Sequence, residues 1–316
     1  MPQQPSPPPI ARSRTRPDWP LLVAVISLFA AAVLTACGGG SDAAAPAAPT
    51  VVLSSVSYAQ GAISGFGSVI VGGVRYDDSQ ASVVDADGNA LPATRLGLGS
   101  MVMVDAGPVN RSNATAVASR FRLCDEVLGP VSSVNTAAGS LVVLGQTVLV
   151  NSSTVFDSSL ASGLSAALVG SVVEVHGTPD ATSGQITATR IESTSAATSY
   201  ALRGTVAALD TSAKTFQIGA ATIAYGSLAA ANVPSGLANG LIVRVKLNTT
   251  TVSGNWVATA LRADPRTPTS PTDSHIEGAI TVFTSTSSFE IGGVKVDASA
   301  ATFPDGTSSI VLGAMV

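Results

Sequence analysis

The stretch "VEVHGTPDATSGQITATRIE", Val173 to Glu192, decides the fold. Val173 and Val175 alternate with Glu174 and His176. That period of two puts one face of a strand in a core and the other in water. "GQITATRI" then supplies a second strand. Working outward, "GPVSSVNTAAGSLVVLGQTVLV" from Gly129 adds an earlier strand, a polar loop and a strand that enters a tight turn. An irregular span with "STVFD" (Ser153 to Asp157) joins the two halves. The same order of elements opens at Gly61, Gly129, Gly204 and Gly278, at intervals of 68, 75 and 74 residues. In "IVRVKL" of the third unit, Val243, Val245 and Leu247 alternate with Arg244 and Lys246, again one face buried and one wet.

A recurring unit of this length is a small domain rather than a solenoid repeat. Five strands in roughly 65 residues, with a longer connection between the third and fourth, match a small OB-like Greek-key barrel. The expected fold class is therefore all-β: tandem OB-like five-stranded barrels after a signal peptide and a flexible tether. Short β-sandwich modules are the alternative. A helix between the third and fourth strands would fall in residues 158–170. The expected boundaries are 1–36 signal peptide, 37–56 tether, 61–125 module 1, 129–197 module 2, 204–264 module 3 and 278–316 module 4. In module 4, "GAMV" aligns with the start of the fourth strand. The chain is therefore expected to be a fragment of a longer protein, the alternative being a strand supplied from elsewhere.

Composition agrees with β-structure. The chain has 316 residues, 46% hydrophobic but 4% aromatic and 11% charged. Long surface helices need more charge on their wet faces. At the N-terminus, Arg12, Arg14 and Arg16 precede the apolar run Leu21 to Leu34. The run is shorter than the roughly 20 residues of a membrane span. Leu34, Thr35, Ala36 and Cys37 follow, small residues directly before a cysteine. This resembles the bacterial lipobox, which implies diacylglycerol on Cys37 and cleavage before it. Acyl chains contribute about 0.8 kcal/mol per buried CH₂ and hold a soluble protein to a membrane. Gly38 rather than Asp favours the outer membrane. Taking three arginines and Asp18 from 16 basic and 20 acidic residues leaves 13 and 19, a net charge of −6. No cationic run is present to hold a polyphosphate, so nucleic acid is excluded as an expected partner.

The stretch "GAISGFGSVIVGGVRYD" (61–77), with "GSMVMVDAG" (99–107) and the opening stretch 173–192, resembles the DUF5666 family. The resemblance implies repeated β-domains in bacterial lipoproteins. It supplies no catalytic residues, and modules 2 and 3 lack the Gly65-Phe66-Gly67-Ser68 piece. That piece lacks the third glycine and the following helix of a phosphate loop. Gly61 is read as opening a module, Gly65 and Gly67 as a tight corner, and Gly72-Gly73 and Gly292-Gly293 as hairpin turns that need positive φ.

The remaining candidates carry bland readings. "DADGN" (Asp85 to Asn89) is a turn, because the twelfth position of a calcium loop would be Leu96. His176 and His275, the two histidines, are read as surface or rim residues without metal partners. Cys124 is read as a half-buried lone thiol whose neighbours Asp125 and Glu126 disfavour a thiolate. Phe66, Tyr76, Phe121, Phe156, Tyr225, Trp256 and Phe303 are read as core fillers. No catalytic residue, cofactor or metal is expected. The expected function is a non-enzymatic binding or scaffold role in the cell envelope, with a polysaccharide or a protein as partner. The alternatives are a hydrolase or binding protein whose active domain lies beyond Val316, and a pure spacer.

Overall fold

A computed structural model describes residues 57–316, apart from 181, 195–196, 265, 267–272, 277–279, 292–293, 305 and 315. The expectations for Leu34 to Cys37, Gly278, Gly292 and Gly293 lie outside the described residues. The described chain is all-β. Barrel 1 is built from β1 (Ser57–Gly65), β2 (Val69–Val71), β3 (Val74–Asp77), β4 (Ser82–Val84), β5 (Ala90–Leu91), β6 (Met101–Ala106) and β7 (Thr115–Leu123). Its circuit closes: β1 pairs β2, β2 pairs β3, β3 runs parallel to β7, β7 pairs β6, and β6 returns to β1. One strand thus pairs with two others along its two halves, and the parallel contact joins the third and fifth strands of the circuit. That is the OB arrangement, and the β-sandwich alternative falls.

Barrel 2 repeats it with β8 (Val127–Asn135), β9 (Ser140–Val143), β10 (Gln146–Leu149), β11 (Val155–Phe156), β12 (Val172–Pro179) and β13 (Ile186–Ser193). There β10 is parallel to β13 and β12 closes on β8. Barrel 3 uses β14 (Tyr200–Thr205), β15 (Ala207–Asp210), β16 (Thr215–Ile218), β17 (Ala221–Ala224), β18 (Ile242–Val252) and β19 (Asn255–Ala263). Again β17 is parallel to β19 and β18 closes on β14. After them, β20 (Asp273–Ile276) runs parallel to β1. A last sheet holds β21 (Ile280–Ser285), β22 (Ser288–Ile291) and β23 (Val294–Asp297).

One local device recurs four times. Ile63, Val131, Val206 and Ile280 are each at most 1% exposed. Each accepts a bond from a downstream glycine, Gly99, Gly170, Gly240 or Gly313, at 2.8–2.9 Å. Each of those glycines has φ between 78° and 91° in the third position of a turn. A Cβ is strained there, which is why the sequence places glycine before every fourth strand. In the last sheet the bond from Gly313 to Ile280 matches that from Gly99 to Ile63. Gly61, Gly129 and Gly204, read as opening their modules, sit inside the first strands of those modules. A side chain at Gly129 would collide with Leu144 in the turn after β9, and one at Gly204 with Ile218 at the end of β16.

Between the third and fourth strands of barrel 2, residues 158–170 hold two 3₁₀ turns, Ser158–Leu160 and Gly163–Ala166, in place of the expected helix. Asp157 caps the first through the Ser159 and Leu160 amides, and Gly163 at φ 64° interrupts any continuation. The cores hold Tyr76 edge-on to Phe121, and Phe216 beside Tyr225. Phe156, Trp256 and Phe303 are half-buried. Phe66 departs from its expected core role. It is 50% exposed, because the corner Phe66 to Ser68, with Gly67 and Ser68 at positive φ, is too short to fold a ring back over the barrel. Arg75 holds that corner by donating to the Gly67 carbonyl, and Gly72 and Gly73 (φ 55° and 76°) turn the chain from β2 to β3.

Candidate functional site

Barrels 2 and 3 share one sheet. The starts of β8 and β14 pair antiparallel, with Val127 opposite Leu202 and Leu128 opposite Ala201. Val127 and Leu202 are repeat equivalents, each two residues before its module glycine. The partners therefore exchange about a local two-fold. The hairpin turns of the two barrels also meet: Ala220 donates to the Gly145 carbonyl, and Gln146 Nε2 donates to the Ile218 carbonyl at 2.7 Å. The outcome is a continuous run β13-β12-β8-β14-β18-β19 with one polar outer face.

On that face the equivalent positions carry opposite charge. Glu174 lies opposite Glu192 in barrel 2, and Arg244 lies opposite Arg262 in barrel 3. Like charges directly across two strands repel. Barrel 1 supplies the counter-charge to each seat. Arg95, at the end of a 3₁₀ turn, reaches Glu174 at 2.9 Å and Glu192 at 3.3 Å. Asp87, at the tip of the Asp85–Asn89 turn, reaches Lys246 at 3.0 Å, Arg244 at 3.4 Å and Arg262 at 3.7 Å. Arg262 also donates to the Ala86 carbonyl at 2.7 Å. The turn Gly97–Gly99 rests on Thr189 and Arg190, and a side chain at Gly99 would collide with the Thr189 carbonyl.

The linkers complete the junction. Arg244 donates to the Asp125 carboxylate at 2.9 and 3.0 Å and to its carbonyl. Glu126 accepts from Arg266 at 2.6 Å and Arg203 at 3.3 Å. Asp264 accepts from Arg203 at 3.0 Å and is also paired with Arg262. Tyr58 of β1 donates to the Arg266 carbonyl. Glu126, Arg203, Arg244 and Arg266 are buried. Charges removed from water in this way are tolerable because each is paired and hydrogen-bonded. Burial alone would raise the Asp87 carboxyl, but Arg244, Lys246 and Arg262 outweigh it and hold it below the usual range.

His176 corrects the surface reading. It is 1% exposed, with Nδ1 3.3 Å from the Cys124 carbonyl and Nε2 3.3 Å from the Glu174 carboxylate. Both partners accept, so the doubly protonated imidazolium is the form that satisfies both contacts. Burial would depress its pKa, yet Glu174, Asp125 and Glu192 together raise it. Burial likewise opposes ionisation of Glu174, but His176 and Arg95 pull it down to about 2. Arg244 corrects the wet-face reading for the same reason: the face of β18 that is polar is covered by barrel 1 and a linker. Cys124 is fully rather than half-buried, and burial pushes its thiol up. The side chain of His275 lies outside the described residues. No cluster of three or more histidine, cysteine and acidic side chains suited to a metal occurs among the described residues.

Alternation in β12 and β18 finds these strands but not what covers them. The readable signal is the aligned repeat: Glu174 and Glu192 of one module become Arg244 and Arg262 of the next.

The fold and this junction define a class, an assembly of tandem OB-like barrels locked through charged outer faces. Residues 129–192, which span barrel 2, match the family described as "Domain of unknown function (DUF5666)". The chain is therefore DUF5666-domain-containing, with the match on a module that lacks the Gly65–Ser68 piece rather than on the first. No curated protein matches. Among solved structures, the chain is similar to "drosophila Unr CSD456" at 14% identity, over 54% of this chain and 78% of that chain, with a TM-score of 0.18. The assignment of the barrels rests on their own strand pairing.

Proposed function

We propose that this is a lipid-anchored protein of the bacterial outer membrane with a non-enzymatic binding or scaffold role. The observation that supports it is the use made of the charged groups. Asp125, Glu126, Asp264, Arg203, Arg244 and Arg266 are engaged with one another across barrels and linkers, which holds binding surfaces in a fixed relation. Groups spent on one another in this way serve architecture rather than proton transfer. The partner is an envelope polysaccharide or protein. Outward residues of the second and third strands of barrels 1 to 3 include Ile70 and Arg75, Val142 and Thr147, and Gln217 and Thr222. Oligonucleotide-binding barrels stack bases on aromatic rings, and these side chains offer none. The membrane attachment rests on Cys37 and the lipobox before it. Globomycin should cause an unprocessed precursor to accumulate, and Cys37→Ala should release the protein from the membrane fraction. For the binding role, in-cell crosslinking and glycan-array binding should recover a partner; a clean negative in both leaves a spacer.

A further inference from the structure

The turn before the fourth strand is docked in barrel 1 and bare in barrel 2. In barrel 1 the Gly97–Gly99 turn rests on Thr189 and Arg190 of barrel 2, and Arg190 donates to the Leu98 carbonyl at 3.1 Å. The same turn in barrel 2 is Leu168 to Gly170, matched bond for bond. Ser100 donates to the Gly97 carbonyl at 3.1 Å and Ser171 to the Leu168 carbonyl at 3.0 Å. Leu168 therefore stands where barrel 1 has Gly97, and Val169 where it has Leu98. Leu168 and Val169 are each 67% exposed, the two most exposed large apolar side chains among the described residues. The receiving surface also has a bare copy. Arg190 lies opposite His176 and Ala260 opposite Lys246, so Thr259 and Ala260 of barrel 3 are the equivalents of Thr189 and Arg190. Both are exposed and line a cleft of about 300 Å³ with Asn232 and Lys246.

These two bare surfaces fit by size. A Cβ at Gly97 would come 2.7 Å from Arg190 Cζ, and Arg190 is held by Glu192 and the Leu98 carbonyl. The docked pair thus sets glycine on the turn against arginine on the strand. The bare pair exchanges large for small: leucine on the turn, alanine on the strand. Truncating a buried leucine leaves a cavity on the order of 150 Å³, so the cleft has room for the Leu168 side chain. Charge fits as well. Arg244 and Arg262 are already met by Asp87, Asp125 and Asp264, and Ala166, at the position of Arg95, brings no charge to them. Turn and face are both exposed in the same chain, so the occupant of one must come from another molecule.

We propose that the protein associates with a second copy of itself, the Leu168–Gly170 turn of one molecule docking on the Thr259–Ala260 face of the other. The contact joins unlike surfaces, so it closes into a dimer where it is reciprocated and otherwise propagates. It goes beyond the binding role above and does not depend on it. Sedimentation velocity of the full chain in its Cys37→Ala form tests it. Concentration-dependent association is expected. Leu168→Asp and Ala260→Arg should each weaken it at least tenfold while leaving the unfolding midpoint of the chain in place, because both positions are exposed. Leu168→Gly combined with Ala260→Arg rebuilds the glycine-on-arginine pair of barrels 1 and 2, and should associate more tightly than Ala260→Arg alone. Val169→Cys and Thr259→Cys chains, mixed and oxidised, should form a disulfide between molecules that neither forms by itself. A chain that stays monomeric up to about 500 μM overturns the proposal. So does association that Ala260→Arg leaves unchanged, a double variant no better than Ala260→Arg, or the absence of the mixed disulfide.

Discussion

Glu126 is the centre of the junction, and its removal has a definite expected cost. Its side chain is 1% exposed, and those of its partners Arg203 and Arg266 are 2% and 5% exposed. Glu126→Leu leaves two guanidinium groups in a site that water does not reach. Breaking a buried pair from one side costs about 3–5 kcal/mol. Arg203 keeps Asp264 at 3.0 Å, which places the expected loss at the lower end, about 3 kcal/mol. At a urea slope of about 3 kcal/mol/M the midpoint should fall by about 1 M. Arg266→Leu should cost a similar amount. The double variant removes charge and counter-charge together, so its cost should fall below the sum of the singles by about 1.5 kcal/mol or more. Urea unfolding followed by circular dichroism gives the cycle. Hydrogen exchange at the Arg203 amide, which donates to the Glu126 carbonyl, reports whether the loss lies at the junction. Strictly additive singles, or a Glu126→Leu loss under about 1 kcal/mol, would refute the claim that these paired charges hold the barrels together.

The His176–Glu174 pair should give the junction a two-sided pH dependence. The raised His176 pKa adds stability that is full below its ordinary value of 6.5 and lost as pH rises through the folded value. The depressed Glu174 adds stability that is full above 4.5 and lost as pH falls toward 2. Tm measured against pH should therefore be highest between these limits, and His176→Gln should flatten the alkaline limb. Gly99→Ala should cost more than Gly170→Ala. Both meet positive φ, worth about 1 kcal/mol or more, but a Cβ at Gly99 also strikes the Thr189 carbonyl while that at Gly170 meets open space. Thermal unfolding of the two variants side by side checks the order. In a Cys37→Ala form, Cys124 should resist iodoacetamide until denaturant is added, as mass spectrometry would show, because its thiol is 2% exposed and its pKa is raised.

The architecture is written locally. Val173 and Val175, or Val243 and Val245, alternate because successive side chains of a strand point to opposite faces. The glycines before each fourth strand recur because their backbone conformation excludes a Cβ. Such features need only neighbours in the chain, so the barrels and their number of strands are legible from the letters. The fate of the polar faces is not. Glu174, His176, Arg244 and Arg262 look like solvated strand residues, and their alternation would be the same in water. Their partners come from far along the chain: Arg95 is 79 residues from Glu174, Asp125 is 119 from Arg244, and Ala86 is 176 from Arg262. Which barrel covers which face depends on the docking of closed units, and that geometry is set by complementary charge and shape only after folding. The sequence by itself determined a string of OB-like barrels, while the tertiary structure decided that their polar faces become a buried junction.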